Sequence, residues 1–246
     1  MPFYEREEKI LRLLVTGEGL SLETLAKELF VSRSTLRRDL IKLEDKGYLI
    51  RTHGSYKLVH AAADEKIPFL RRLDERDKAK ALIAEKAAGY VSDGMVLMLD
   101  GSTTAFALVP QLAAFKNLIV LTSSAKTSLA LGGAGIKNIC TGGSMINRSF
   151  SYVGSDALRT IRSYNADLCF FSCRGLSLDG KLTDIATDED YVRQHMIRHA
   201  KRSYLLCAGE KIGRLYYHNL AHISEITGVI SESSLPDFSA AGGGNA

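Results

Sequence analysis

Apolar residues recur along the first 45 positions of this chain with the period of a helix. Ile10, Leu11 and Leu14 share one side of a segment over residues 4–15, which Gly17 and Gly19 bring to an end. Ser21 is a good N-cap for a second helix whose Leu22, Leu25, Ala26 and Leu29 lie on one face. Phe30-Val31 is a tight connection, and Ser32 opens a third helix in which Leu36, Leu40 and Leu43 stack as one stripe. Opposite that stripe fall Ser34 and Arg38, flanked by Arg37, Ile41 and Lys42. Taken alone, such a helix suits solvent as well as it suits the DNA major groove. Its neighbours decide for the groove, because two helices, a short turn and a third helix are the layout of a helix-turn-helix. Lys46-Gly47 stops the third helix. Strand-like runs over 48–51 and 56–59 follow, joined by Thr52-His53-Gly54-Ser55, which adds a wing.

Residues 60–74 form a boundary, where Pro68 breaks any helix trying to cross. Over 76–88 the pattern turns helical again, with Ala79, Leu82, Ile83 and Ala87 inward, and Ser92-Asp93-Gly94 is a turn. Strand-like and helical segments then alternate. Strands are predicted over 95–99, 118–121, 136–140, 168–172, 203–206 and 226–230. Helices are predicted from Thr104 through Leu112, from Ser124 to Leu131, and near 154–163 and 188–200. Continuously apolar strands separated by helices imply a mostly parallel sheet covered on both faces. The predicted fold is therefore α/β with a winged helix-turn-helix head. Its domains are a DNA-binding head over 1–60, a linker over 61–74, an α/β effector domain over 75–238 and a disordered tail over 239–246.

The net charge of +4 diagnoses little, but its distribution says more. Residues 1–31 carry four Lys/Arg against six acids, whereas residues 32–57 carry seven against three, so positive charge gathers on the third helix and the wing. The four cysteines, Cys140, Cys169, Cys173 and Cys207, sit in apolar surroundings without the spacing of a zinc or redox site. They read as small buried hydrophobes in a reducing cytoplasm. No signal-peptide core and no apolar run of membrane-spanning length is present, which makes a cytoplasmic protein the expectation.

Three predicted strand ends carry small, hydroxyl-rich or glycine-rich loops: Gly101-Ser102-Thr103-Thr104, Thr122-Ser123-Ser124 and Gly142-Gly143. One such loop alone is well explained as a helix cap. Three at the carboxyl ends of an open α/β sheet point to a ligand, because backbone N–H groups and hydroxyls there can meet a phosphate. Neither GxxxxGK[ST] nor GxGxxG occurs, so nucleoside triphosphates and dinucleotides are poor candidates.

The series Arg6…Ile10…Leu14, then Ser32-x-x-Thr35-Leu36-Arg37-Arg38-Asp39-Leu40 and Leu43-Glu44…Gly47…Leu49…Arg51-Thr52-His53-Gly54, resembles the signature of the DeoR family of bacterial transcriptional regulators. Ser55 departs from it, since the family usually has a second Gly there. The resemblance extends through Asp100-Gly101-Ser102-Thr103-Thr104, Leu121-Thr122-Ser123, Gly142-Gly143 and Gly154, and so covers nearly the whole chain. It implies an effector domain similar in fold to ribose-5-phosphate isomerase, with phosphorylated sugars or their derivatives as effectors. Asp100, Gly101, Ser102, Thr103, Thr104, Thr122, Ser123, Gly142, Gly143 and Lys211 would then form the ligand site. A second departure lies at Ala208-Gly209-Glu210-Lys211-Ile212-Gly213, where the family commonly reads Asp-x-Ser-Lys before Phe-Gly.

These readings combine into a homo-oligomeric regulator, a repressor, that binds operator DNA and answers to a phosphorylated sugar. Ser34 and Arg38, with Arg37 beside them, would meet base edges. Arg33, Lys42, Arg51, His53 and Lys57 would hold phosphates, and Ser32 and Thr35 complete the set at the helix start. No cofactor or metal is expected. The alternative is a sugar-phosphate isomerase fused to a DNA-binding module, with Asp100, Asp184 and Lys211 as nominees for acid–base work. Against it, the loop after 168–172 reads Cys173-Arg174-Gly175, where the isomerases place acidic residues. The pairs His195/His199 and His218/His222 have a helical metal-ligand spacing but no partners, and read as ordinary histidines. The arginine-rich stretch 191–202 reads as a solvated helix face.

Overall fold

The computed structural model describes residues 3–14, 19–45, 49–52, 54–58 and 77–238. The expected linker over 61–74, the expected tail over 239–246, the stops at Gly17 and Lys46-Gly47, and His53 lie outside the described residues. The chain divides into two compact units, Met1–Ile67 and Pro68–Ala246.

In the first unit, α1 (Phe3–Leu13), α2 (Leu22–Leu29) and α3 (Arg33–Asp45) surround a core of Ile10, Leu11, Leu14, Leu25, Ala26, Leu29, Leu36, Leu40 and Leu43. These are the stripes the periodicity marks, apart from Leu22, which packs only partly buried against them. Ser21 caps α2 by accepting from the Thr24 N–H at 3.1 Å, and Ser32 caps α3 by accepting from the Thr35 N–H at 3.3 Å. Arg6 grips the buried Asp39 carboxylate through two donors, Nε at 2.6 Å and Nη2 at 3.1 Å, and so ties α1 to α3. The wing consists of β2 (Leu49–Thr52) and β3 (Ser55–Leu58), paired antiparallel. A two-residue strand that the sequence did not reveal, β1 (Leu20–Ser21), extends it on the other side of β3. Ser55, the departure from the family's glycine, donates its hydroxyl to the Thr52 carbonyl at 2.9 Å and closes the turn.

The second unit begins with α4 (Asp77–Ala88). There β4 (Val96–Leu99), β5 (Ile119–Thr122), β6 (Lys137–Cys140), β9 (Ala166–Phe171), β12 (Ala200–Leu206) and β14 (Gly228–Ile230) form a six-stranded parallel sheet. The spatial order is β14-β12-β9-β4-β5-β6. Alternate residues feed two cores. Leu97, Leu99, Leu168, Phe170 and Leu206 pack with α4, α5 (Thr103–Phe106), α6 (Val109–Leu112) and α7 (Ala125–Gly133). Met98, Cys169, Phe171, Leu205 and Cys207 pack with α8 (Ser155–Arg162) and α9 (Thr187–Arg198). Burial on both faces explains why these strands read as apolar runs without polar alternation.

Four expectations need correction. Leu82 is 49% exposed, because the buried stripe of α4 runs one position later through Ile83, Ala84 and Ala87. The helix expected through Leu112 is broken into α5 and α6. Pro110 lies at the start of α6, and its ring nitrogen cannot donate to the preceding turn. Two small antiparallel sheets were not foreseen: β7 (Ser144–Ile146) with β8 (Ser151–Val153), and β10 (Gly175–Leu176) with β11 (Lys181–Asp184) and β13 (His218–His222). Finally, 191–202 is not one solvated helix face: α9 ends at Arg198, residues from Ala200 onward are strand, and Arg193 is buried.

Candidate functional site

On α3 the leucines turn inward, and Ser34, Arg37, Arg38 and Lys42 are exposed, as are Ser32 and Arg33 at its start. Thr35 is half-buried, its hydroxyl 2.9 Å from that of Ser32. Several of the expected DNA contacts are held locally. The Ser34 hydroxyl lies 3.1 Å from that of Ser32, Arg38 Nε reaches the Ser34 carbonyl at 3.4 Å, and Arg33 pairs with Glu23 at 3.0 Å. Lys42 Nζ sits 4.7 Å from the centre of the Phe3 ring. Arg51 and Lys57 are exposed on the wing, the guanidinium of Arg51 5.9 Å from the centre of the Tyr56 ring. The connection between α2 and α3 holds an oddity. Phe30 caps α2 in the left-handed conformation (φ +54°), where glycine is favoured, and its ring is 95% exposed.

In the second unit the chain runs from β4 outward to β5 and β6, then returns to β9 on the opposite side of β4. That reversal makes β4 and β9 the switch point, the place at which open α/β sheets bind their ligands. Asp100 follows β4 directly and is fully buried. Its Oδ1 accepts from the Ser102 hydroxyl at 2.6 Å and the Ser102 N–H at 3.1 Å. Its Oδ2 accepts from Arg193 Nε at 2.9 Å and from the Ser172 N–H at 3.3 Å. Arg193, from α9, is the hub. Nη1 donates to Asp190 at 2.6 Å and Asp184 at 3.1 Å, and Nη2 to Glu189 at 3.2 Å. Arg174 adds a contact to Asp184 at 3.4 Å, and His218 Nδ1 lies 2.7 Å from Asp190.

Burial presses on the charges of Asp184, Asp190 and Arg193, and its balance with their partners sets each outcome. Burial works to raise the Asp184 carboxyl, but Arg193, the Ile185 N–H, Arg174 and Lys211 together take it below its ordinary value. For Asp190 burial wins over the pull of Arg193, and the carboxyl titrates above its ordinary value. Arg193 resists the loss of solvent because four carboxylates surround it, and its affinity for the proton rises. Burial also pushes the Cys173 and Cys207 thiols up, Cys207 to about 11, so neither is a ready nucleophile.

Of the residues expected at the ligand site, Gly101 and Ser123 line a small polar cavity together with Ser151, Tyr152, Glu189 and Arg193. Ser102, Thr103, Thr104 and Thr122 are buried and do not line it. Ser102 caps α5 by accepting from the Ala105 N–H at 3.1 Å, and the Thr122 hydroxyl accepts from the Ser124 N–H at 3.1 Å. Lys211 lies on the other flank of the switch point, where Nζ donates to the Cys173 carbonyl at 2.7 Å and the Ser172 hydroxyl at 2.9 Å. Gly142 and Gly143 follow β6 and do not line the cavity. A side chain at Gly143 would meet the Val153 carbonyl at 2.5 Å, so this glycine allows close packing against β8. Ser151, Glu189 and Arg193 were missed by sequence reasoning. The one available signal was Arg193 lying four residues from Glu189 and three from both Asp190 and Met196, a cation on the apolar side of its helix.

The histidine pairs do not build a metal site. His195 and His199 stack at the end of α9, with His195 Nε2 2.9 Å from Arg162, and His218 and His222 stand at the two ends of a strand. Among the described residues no group of three or more His, Cys, Asp or Glu side chains could hold a metal ion, and no helix is long and apolar enough to cross a membrane.

Comparison with known proteins bears on both units. A family model described as the DeoR-like helix-turn-helix domain matches residues 6–62, and one described as the DeoR C terminal sensor domain matches residues 75–233. The L-fucose operon activator of Escherichia coli (strain K12) is 34% identical over 92% of this chain and 94% of its own length. The HTH-type transcriptional regulator GolR of Listeria innocua is 30% identical over 94% of this chain and 91% of its own length. Among solved structures, eIF2B delta from Chaetomium thermophilum superposes with a TM-score of 0.50 at 21% identity, covering 66% of this chain and 59% of that one, a likeness of fold. With a head that turns arginines outward from a leucine core and a sensor matched over most of the remaining sequence, the chain belongs to the DeoR family of DNA-binding transcriptional regulators.

Proposed function

We propose that this chain is a cytoplasmic, homo-oligomeric regulator of a carbohydrate operon. It would bind operator DNA through α3 and the wing, and change its occupancy when a phosphorylated sugar enters the crevice between β4 and β9. The observation that carries the effector reading is the cavity that Gly101 and Ser123 line beyond the ends of β4 and β5, with Lys211 on the other flank of the switch point. Ser34, Arg37 and Arg38 are the base-reading candidates, with Ser32 and Thr35 at the helix start. Arg33, Lys42, Arg51, Lys57 and, outside the described residues, His53 are the phosphate-holding ones. A single head reads few base pairs, so a symmetric assembly on repeated half-sites follows. Repression by operator occlusion is our reading of direction, although three relatives carry the name of an activator.

The crevice supports sensing rather than turnover. Asp100 spends both carboxylate oxygens on Ser102, Ser172 and Arg193, Asp184 is held by Arg193 and Arg174, and Lys211 donates to Ser172 and Cys173. None of the three nominees for acid–base work stands in the cavity wall. The test is a thermal-shift panel of phosphorylated sugars and their unphosphorylated parents on the full chain. At a hundredfold excess over Kd, a true effector adds about 2.7 kcal/mol to stability and alters operator binding. A panel with no shift overturns the effector, and interconversion of aldose and ketose phosphates would favour the isomerase alternative.

A further inference from the structure

The wall of the cavity facing Gly101 and Ser123 is a carboxylate. Glu189, in the first turn of α9, lines that space with Ser151 and Arg193, and is the one member of the Asp100, Asp184, Glu189, Asp190 cluster that does. Its Oε1 accepts from the Ser149 hydroxyl at 2.5 Å, and its Oε2 from Arg193 Nη2 at 3.2 Å. Ser149 belongs to the turn between β7 and β8, and that hairpin is seated on the loop after β5. The Tyr152 N–H donates to the Ser123 carbonyl at 2.7 Å, and the Ala125 N–H to the Phe150 carbonyl at 2.9 Å. The hairpin turn is strained, with Phe150 at φ +54°. Ser151 adds an independent sign of an unfilled polar site. The residue is 2% exposed and lines the cavity, and its hydroxyl has no hydrogen-bond partner among the described residues. The space is about 10 Å³, so a group as large as phosphate fits only if Glu189 leaves it.

A second anion cannot enter this enclosure beside Glu189 without strong repulsion, because little solvent remains to screen the two charges. The cluster already holds four carboxylates against Arg193, Arg174 and Lys211. We propose that Glu189 is a resident anion that the phosphate of the effector displaces. Displacement frees Arg193 Nη2 for the incoming phosphate, offers it the Ser151 hydroxyl, and releases Ser149, so that the β7–β8 turn loses its hydrogen bond to α9 while Val153 stays packed in the core beside that helix. Phosphate binding is thereby coupled to movement of the hairpin. This rests on the effector reading above and adds how the site is regulated.

The experiment titrates inorganic phosphate, and separately the phosphorylated-sugar panel, against full-length protein, with the ligand-free melting temperature read in the same scans. Glu189→Gln keeps the shape and removes the charge, and is expected to tighten inorganic phosphate binding about tenfold. Ser149→Ala keeps the charge and removes the tie, and is expected to tighten it by a smaller factor. Unchanged or weaker phosphate affinity in folded Glu189→Gln overturns the proposal. Where that variant does not fold, unchanged affinity in Ser149→Ala overturns it instead. If the parent binds a phosphorylated sugar and neither variant gains affinity, the displacement falls while the effector site stands. If neither parent nor variants bind any phosphorylated sugar, both readings fall.

Discussion

Arg193 Nε stands 2.9 Å from Asp100 Oδ2, and this contact joins the helix α9 to the carboxyl end of the central strand β4 across 93 positions of sequence. Both side chains are almost fully buried, and the same guanidinium satisfies Asp184, Glu189 and Asp190. Removing it leaves four carboxylates without their shared cation. Arg193→Met is therefore expected to cost about 3–5 kcal/mol of stability, read by urea unfolding of the full chain. A loss below ~1 kcal/mol would mean that the cluster is solvated and the buried network is not as described.

Arg38 projects from the exposed face of α3, opposite the buried Leu36, Leu40 and Leu43. Arg38→Ala should weaken binding to an operator selected from random duplexes by about 1–3 kcal/mol and relax the preference at one base pair. Fluorescence anisotropy at fixed salt, on selected and scrambled duplexes, checks it. A uniform loss on both would reassign Arg38 to phosphate contact.

A Cβ at Gly101 would lie 1.9 Å from the Ser151 hydroxyl and 2.9 Å from its Cβ, so this glycine is required by close approach. Rotation of Ser151 relieves only the first of these clashes. Gly101→Ala is expected to destabilise by about 1–3 kcal/mol, and Ser151→Gly in the same chain should recover part of that loss. A double variant no more stable than the single one would contradict the contact.

Phe30 holds a left-handed conformation at the end of α2 with its ring in solvent, which costs a residue bearing a Cβ more than it costs glycine. Phe30→Gly should raise the stability of the head by up to about 1 kcal/mol, visible as a higher melting temperature. A drop would show that the exposed ring makes a stabilising contact.

The buried carboxyls differ in sign. Asp184 is lowered from its ordinary 3.8 on folding, so the stability it contributes is complete above that value and is lost as the pH falls through the lower folded one. Asp190 is raised on folding, so its ionisation costs stability at neutral pH. Asp184→Asn should therefore be less stable than the parent by a steady amount from ~pH 8 to ~pH 5. The gap should close only as the pH drops below 3.8. A gap that closes between ~pH 7 and ~pH 5 would place the folded value above the ordinary one.

Much of the head was legible because its information is local. A caps-and-stripe pattern within a few turns suffices to place Ser21, Ser32 and the leucines of α3, and the structure buries Leu36, Leu40 and Leu43 as that pattern requires. The six parallel strands were legible for a related reason: a strand covered on both faces is apolar at nearly every position, as at Val96–Leu99. The small strands β7, β8 and β10 carry two or three residues each and no alternation, so nothing in their own sequence marks them.

What the sequence determined by itself is the order of elements, the outward arginines of α3 and the three polar loops that end β4, β5 and β6. Each depends on neighbours within a turn or a strand, where side-chain period and capping act directly. Which loops meet was decided only by the tertiary structure. Strand order placed Asp100 beside Ser172, and the fold packed Gly143 against β8 and brought β8 down on Gly101. It also buried Arg193, which lies in a stretch that its density of arginines made read as a solvated helix face. The energy of a charge is set by the carboxylates and the dielectric around it, and those arrive from distant parts of the chain.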